Sequence, residues 1–260
     1  MITVTNPATG EPIMQLPADD AAAIAQKFAQ AKTAQLQWRH TPLAERLEKI
    51  TNFYHLLDTE KDTLAQDLTA ETGKPLQQAF NELNGARTRI SFFLEHTAAL
   101  LEEEWITREG ATREKITYEP LGVIANISAW NYPYLVGVNV FIPALLAGNA
   151  VLYKPSEYAL LTGRHIARLL HQSGIPEAVF QCITGSGEAG QALLELPLQG
   201  YYFTGSYATG QRIASALAGK MVPVQMELGG KDPLYVMDDV ADIEAAAGAV
   251  LEGIMYNAGQ

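Results

Sequence analysis

Two polar side chains that stand directly after predicted strands have the chemistry of an active site. Asn131 lies in residues 128–134, where its amide could donate a hydrogen bond to a developing oxyanion or cap the helix that follows. Glu227 follows an apolar run and precedes two glycines. A partly buried carboxylate there is expected to have a raised pKa and to act as a general base, unless it pairs with Lys231 at a surface turn.

Two further loops could contact a nucleotide. Residues 154–157 follow an apolar run, and Glu157 could accept from a ribose hydroxyl while Lys154 approaches from its side. A solvated charged turn is the commoner meaning of such a tetrapeptide. Residues 185–190 match G-x-G-x-x-G after a predicted strand, but positions 201–210 lack the acidic residue that normally follows. This second match therefore indicates at most a glycine turn near a cofactor.

A last loop, residues 203–210, suits a phosphate group. Gly205 permits a tight turn, and Ser206 begins a predicted helix whose first N–H groups favour phosphate. The spacing is similar to that of a P-loop, but Gln211 and Arg212 replace the required Lys-Ser/Thr pair. This difference, together with the absence of clustered metal ligands in the sequence, argues against a phosphate-transferring enzyme.

The elements that must position these loops change character near residue 115. The preceding third predicts a helical layer, as the apolar spacing in 44–57 shows. Residues 116–127 predict a strand or hairpin that leads into a core strand. Strands are then predicted at 150–153, 179–184, 201–204, 222–226 and 234–237, and helices at 135–147, 160–172, 189–194, 207–217 and 240–256. This alternation predicts an α/β fold, a Rossmann-like parallel sheet covered by helices, with ligands at the carboxyl ends of the strands.

The composition argues against several classes of function. A net charge of −11 over 260 residues makes nucleic acid a poor partner. The single cysteine, Cys182, rules out an internal disulfide and a cysteine-based zinc cluster, and the histidines lack metal-binding spacing, so no metal is expected. No apolar stretch is long enough to span a membrane and the N-terminus lacks a secretory signal, so we expect a cytoplasmic protein without membrane contact.

Segments along the whole chain resemble the aldehyde dehydrogenase superfamily, in that family's order. They are NPATGE (6–11), EPLGV (119–123), AWNYP (129–133), PAL (143–145), GN (148–149), KPSE (154–157), FTGS (203–206), ELGGK (227–231) and NAGQ (257–260). The resemblance covers essentially the whole chain, and chance does not explain so many segments in one order.

The resemblance implies NAD-dependent oxidation of an aldehyde to a carboxylic acid through a cysteine thiohemiacetal and thioester. Asn131 would stabilise the oxyanion, and Glu227 would activate the thiol or the hydrolytic water. The residues that would contact the cofactor are Ile127, Ser128, Ala129, Trp130, Lys154, Ser156, Glu157, Gly187, Phe203, Thr204, Gly205, Ser206, Gly210 and Leu228. Glu157 favours NAD, because its carboxylate would repel a 2′-phosphate, but some related enzymes reorient this residue and NADP stays possible.

The resemblance also implies a domain order. Residues 1–226 would form the NAD-binding domain, with a protruding oligomerisation hairpin at about 102–120, and residues 227–260 would begin a second α/β catalytic domain. The full-length protein would be a homodimer or homotetramer. Two positions differ from many family members: Ala129 replaces a proline, which we interpret as the mark of a branch, and Val140 replaces a lysine, which puts a lysine-assisted proton relay in doubt.

The family's cysteine nucleophile would lie two residues past Gln260, so the sequence is interpreted as a truncated N-terminal portion that is inactive alone, with exposed apolar surface and marginal stability. Cys182 lies in an apolar run and is expected to be inert. The alternative is a non-catalytic nucleotide-binding or interaction protein of this family, which a cysteine at the second codon past Gln260 would exclude. Uncharged Tyr132, Leu135 and Val136 at the entrance favour neutral or apolar aldehydes.

Overall fold

A small β-hairpin and long helices form the N-terminal layer of the computed structural model, which describes residues 1–109 and 112–259. Strands β1 (Ile2–Thr5) and β2 (Pro12–Leu16) pair antiparallel. The helices that follow are α1 (Ala21–Trp38), α2 (Leu43–Thr59), α3 (Lys61–Thr72) and α4 (Leu76–Leu100). The predicted apolar face of α2 is confirmed, because Ile50, Phe53 and Leu57 are buried.

The turn between α3 and α4 follows from two residue types. Gly73 ends α3 in the left-handed conformation, with φ at 75°, where a side chain would be strained. Pro75 stands at the N-cap of α4. Lys74 lies between them and is buried.

A second antiparallel pair connects the helical layer to the sheet. Strand β3 (Glu104–Thr107) pairs with β4 (Glu114–Ile116) within the predicted hairpin. Residues 110 and 111 of that hairpin lie outside the described residues. Its role in oligomerisation stays a prediction.

The core of the molecule is a parallel sheet in the order β7-β6-β5-β8-β9. Its strands are β5 (Val123–Ile127), β6 (Ala150–Lys154), β7 (Phe180–Cys182), β8 (Gly200–Gly205) and β9 (Val224–Leu228). The helices between them are α5 (Pro133–Leu146), α6 (Leu160–Gln172), α7 (Gly187–Glu195) and α8 (Tyr207–Leu217). Both β5 and β6 are mainly apolar and are buried along their whole length, including Asn126 in β5 and Lys154 at the end of β6.

The direction of strand addition reverses at β5, which lies between β6 and β8. Ligands of open parallel sheets bind at such a switch point, beyond the carboxyl ends of the strands. In the register, Ile127 pairs with both Lys154 and Phe203, and Gly205 pairs with Leu228. The loops selected from the sequence therefore leave the sheet at one edge.

The end of the chain differs from the sequence prediction. Residues 234–237 were predicted as a strand but form none, because a strand needs a hydrogen-bonded neighbour and these exposed residues pair with none in the described part of the chain. Helix α9 (Ile243–Gly259) begins three residues later than predicted. Several large apolar side chains of this segment are exposed, as expected, and Gln260 lies outside the described residues. No helix in 1–109 or 112–259 is long and apolar enough to cross a membrane.

Candidate active site

A cleft of about 720 Å³ lies at the carboxyl edge of the sheet, beside the switch point. It brings together both predicted catalytic residues, Asn131 and Glu227. The predicted cofactor contacts that line it are Ile127, Ser128, Ala129, Trp130, Lys154, Ser156, Glu157, Gly187, Phe203, Thr204, Gly205, Ser206 and Leu228. Gly210 is outside the lining: it is buried in α8, where an added Cβ would lie 2.5 Å from Leu228 Cδ2. Gly210 thus allows α8 to pack against the end of β9.

Asn131 belongs to the connection between β5 and α5, residues 128–132, called here the Asn131 loop. The Asn131 Oδ1 atom accepts a hydrogen bond from Tyr132 N over 3.1 Å. Tyr132 is the N-cap residue of α5 and makes no side-chain capping bond. Asn131 itself lines the cleft. Trp130, 39% exposed in the same loop, meets Tyr158 edge-on at 6.5 Å between ring centroids.

The 154–157 segment is not the solvated turn that its sequence allows. Lys154 is only 5% exposed, and its Nζ donates to the Pro155 carbonyl oxygen over 3.2 Å. The Glu157 carboxylate lies 4.0 Å from that ammonium group, and Ser156 Oγ is 3.4 Å from the same carboxylate. Burial lowers the pKa of Lys154, and the charge of Glu157 opposes that shift in part. A buried cation thus holds a carboxylate at the rim of the cleft.

The start of α8 faces the cleft as a phosphate-type site. Ser206 is its N-cap, and the Ser206 Oγ accepts from Thr209 N over 3.3 Å, so the prediction that Ser206 begins a helix is confirmed. The first N–H groups of a helix and its dipole favour an anion there. Gly187 opens α7 on the same cleft, and an added Cβ would meet no atom within 4 Å.

Glu227 pairs with Thr204 in the ladder between β8 and β9, at the mouth of the cleft. Its side chain is exposed, so the expectation of a partly buried carboxylate is wrong for this structure. The reason is its place on β9, which is the last strand of the sheet, with the residues that follow it exposed as well.

Sequence reasoning missed part of the lining. The additional residues are Gly190, Gln191, Leu194, Thr209, Arg212, Ile213 and Gly229. In the sequence, Arg212 only distinguishes this loop from a P-loop. The helical spacing of Ser206, Thr209 and Ile213 could have identified this face of α8, because residues three and four apart share a face. Arg212 adds a cation to a cleft already suited to phosphate.

Cys182 lies away from this cleft, in β7, and lines a separate groove with Arg164 and His171. Burial raises the pKa of the Cys182 thiol to about 12, despite the nearby Lys27 ammonium group. A thiol with that pKa has almost no thiolate at neutral pH, and the thiolate is the nucleophile. The expectation that Cys182 is unreactive therefore agrees with the structure.

The whole chain is similar to known proteins. The model of the aldehyde dehydrogenase family matches residues 1–260. A betaine aldehyde dehydrogenase of Agrobacterium fabrum is 37% identical over 259 residues, which cover 98% of this chain and 52% of the relative. The chain spans about half the length of the curated relatives it matches.

Solved structures of similar proteins agree in fold. The crystal structure of an NADP dependent enzyme from E. coli superposes with a TM-score of 0.93 at 33% identity and covers 100% of this chain and 54% of its own. The structure of PnpE in complex with nicotinamide adenine dinucleotide has a TM-score of 0.94 at 32% identity and covers 100% of this chain and 53% of its own. The α/β fold with its parallel sheet is thereby confirmed.

Proposed function

Since this chain belongs to the aldehyde dehydrogenase family, we propose that it forms the NAD(P)-binding part of an enzyme that oxidises an aldehyde to a carboxylic acid. The observation that carries the proposal is the single cleft in which Asn131, Glu227 and the N-terminus of α8 meet at the carboxyl edge of the sheet. A dinucleotide needs a phosphate site and a ribose acceptor at that edge, and Ser206 and Glu157 supply groups of these two kinds.

In the proposed reaction, a cysteine thiolate other than that of Cys182 attacks the aldehyde carbon. A C–S bond forms, and the carbonyl oxygen becomes an oxyanion. Asn131 donates a hydrogen bond to that oxygen, a contact whose loss typically costs about 10²–10³ in rate. A bound nicotinamide would supply the acceptor for the hydride, so that loss of the hydride from the carbon leaves a thioester. Glu227 takes a proton from the thiol or from the water that cleaves the thioester, and its exposure in this chain leaves it open to both.

Cys182 does not supply the nucleophile of this reaction, because it lies outside the cleft and its thiol is protonated at neutral pH. For the 260-residue chain we therefore propose NAD(P) binding without aldehyde turnover. This observation also favours the second candidate, a non-catalytic nucleotide-binding protein of the same family. Aldehyde-dependent NADH production by the purified chain would contradict our assignment of Cys182.

We propose NAD as the preferred cofactor. The Glu157 carboxylate at the rim is positioned to accept from ribose hydroxyls and to repel a 2′-phosphate. The nearest cation, Lys154 Nζ, is buried and already shared between Glu157 and the Pro155 carbonyl oxygen. Relatives bind either cofactor, as the two solved structures indicate, so the preference needs direct measurement.

The remaining sequence predictions are proposals of the same kind. We propose residues 1–226 as the NAD-binding domain and 227–260 as the start of the catalytic domain, with β9 crossing that boundary. We also propose a neutral or apolar aldehyde as substrate, because Tyr132, Leu135 and Val136 are uncharged and partly exposed. Assembly as a homodimer or homotetramer through the 102–120 hairpin and a cytoplasmic location complete the proposal.

The phosphate site is tested by placing a negative charge on it. Ser206→Asp keeps a good N-cap residue but sets a carboxylate against the pyrophosphate, and Ser215→Asp makes the same change on an exposed face of α8 outside the cleft lining. We expect Ser206→Asp to weaken NADH binding at least about fivefold, since like charges 4 Å apart repel by about 1 kcal/mol even in water. Ser215→Asp should bind like the unmodified chain.

Binding is measured by energy transfer from Trp130 to NADH, with Trp130→Phe removing the signal and Trp105→Phe retaining it. Saturable binding that Ser206→Asp weakens and Ser215→Asp leaves unchanged supports the proposal. Absence of saturable binding, or equal loss in both aspartate variants, would refute the assignment of this cleft.

A further inference from the structure

A buried ion pair lies directly behind the Asn131 loop. The Lys74 Nζ atom donates to Glu82 Oε2, and the two residues are 4% and 2% exposed. Lys74 comes from the α3–α4 turn and Glu82 from α4, so neither belongs to the sheet or to the cleft lining. Burying two charges is costly unless each is fully hydrogen-bonded, which makes the other contacts of this pair informative.

Glu82 accepts hydrogen bonds from the first backbone N–H groups of α5, although it belongs to another helix. Its Oε1 accepts from Tyr134 N over 2.8 Å, and Leu135 N lies 3.4 Å from the same oxygen. The first N–H groups of a helix have no partner within it, and the N-cap residue Tyr132 provides none through its side chain. A carboxylate from α4 therefore takes the place of a local cap and fixes where α5 begins.

Lys74 holds the residue next to Asn131. Its ammonium nitrogen lies 3.8 Å from the centroid of the Tyr132 ring, a close cation–π contact with a cation that Glu82 keeps in position. The Tyr132 backbone N–H in turn donates to Asn131 Oδ1. Ring, backbone and helix start are thus held from one side by a single pair of charges.

We propose that the Lys74–Glu82 pair is a positioning element for the Asn131 loop, setting the direction in which the Asn131 amide enters the cleft. The consequence for an oxyanion rests on the proposed function, whereas the control of loop position does not. Neither residue touches the cleft, so both act through Tyr132 and the first turn of α5.

The position of the loop is measured by fluorine NMR of the chain labelled with 5-fluorotryptophan, without cofactor. Trp130 reports on the loop, whereas Trp38, buried against α5 with its Nε1 donating to Leu145 O, and Trp105, on the 102–120 hairpin, are internal controls. The double variant Lys74→Met, Glu82→Gln removes both charges but keeps an amide oxygen for Tyr134 N. We expect the Trp130 resonance to shift by more than its linewidth and the other two to stay in place.

Two further variants separate positioning from general stability. Lys74→Arg, made alone, retains the cation. Its Trp130 resonance should lie close to that of the unmodified chain and not at the shifted position of the double variant. Lys115→Met is the matched control, because Lys115 also pairs with a glutamate, Glu103, and lies 5.6 Å from an aromatic ring centroid, that of Trp105. It should move the Trp105 resonance only. A Trp130 resonance unchanged in the folded double variant would overturn the proposal.

A measurement on the unmodified chain covers the case in which the double variant does not fold. The Tyr134 amide should be protected from hydrogen exchange although it lies in the first turn of α5, because Glu82 is its acceptor. Exchange of Tyr134 at the rate of an unpaired amide would overturn the proposal. Since neither readout uses NADH, a failure of cofactor binding tests the proposed function separately.

Discussion

Glu71 makes the stability of this fold depend on pH in an unusual direction. The residue lies at the end of α3, is 4% exposed, and accepts from Leu161 N at 2.6 Å, from Thr162 N at 2.9 Å and from Thr162 Oγ1 at 2.8 Å. It therefore caps α6, which follows the 154–157 segment of the cleft. Burial raises the pKa of Glu71 from 4.5 to about 7, against the effect of its three hydrogen bonds and with a smaller contribution from the charge of Asp67.

The direction in which stability changes with pH follows from this raised pKa. The folded chain binds a proton at Glu71 more tightly than the unfolded chain does, so stability is fully present below pH 4.5 and is lost as pH rises through about 7. At 1.36 kcal/mol for each pKa unit, the full effect is about 3 kcal/mol. About 2 kcal/mol of it falls between pH 5.5 and pH 7, where the unfolded carboxylate is ionised and the folded one is not yet ionised.

The assay compares urea unfolding of the unmodified chain and Glu71→Gln from about pH 5.5 to about pH 8. Glutamine keeps an acceptor oxygen without the titration, so it should gain about 2 kcal/mol relative to the unmodified chain over this range. Glu60→Gln is the control that should not titrate in this range: the hydrogen bond from Arg168 lowers the pKa of Glu60 below 4.5, so its contribution is lost only below the assayed pH values. The difference between Glu60→Gln and the unmodified chain should therefore be the same from about pH 5.5 to about pH 8. A difference between Glu71→Gln and the unmodified chain that is the same at both pH values would refute the argument.

Two more predictions follow from the cleft and its surroundings. Glu157→Gln should lower the ratio of the NADP to the NAD dissociation constant about tenfold, because it removes the charge that opposes a 2′-phosphate. Glu188→Gln is the control, because Glu188 is exposed and lies outside the cleft lining. A ratio that Glu157→Gln leaves unchanged would contradict the role of Glu157. Cys182 should react with iodoacetamide at about pH 8 at least about 100-fold more slowly in the folded chain than in urea, as measured by mass spectrometry. The reason is that its raised pKa leaves roughly 10⁻⁴ of the thiol ionised in the folded chain. Equal rates in the two states would show an accessible thiolate.

The sequence by itself determined the α/β fold and most of the cleft. Apolar spacing predicted α6 with the bounds that the structure has, Leu160–Gln172, and glycine at 174 adopts the positive φ that ends such a helix. The β-branched and apolar residues of 116–127 predicted a segment that leads into a core strand, which is β5, and the apolar run 150–153 predicted the buried strand β6. Because parallel strands share one carboxyl edge, the loops that follow them converge, and Asn131 and Glu227 could be assigned to one site from order alone.

Only the tertiary structure decided how these groups are held. Lys74 contacts the Tyr132 ring, Glu82 accepts from the start of α5, and Glu71 accepts from the start of α6. No periodicity encodes contacts between residues so far apart in the sequence. The exposure of Glu227 and the lack of a strand at 234–237 depend on which segments cover or pair with them, which a local pattern does not contain. Local spacing fixes helices, strands and the edge at which loops meet, whereas burial, and with it the pKa of each charged group, is a property of the assembled layers.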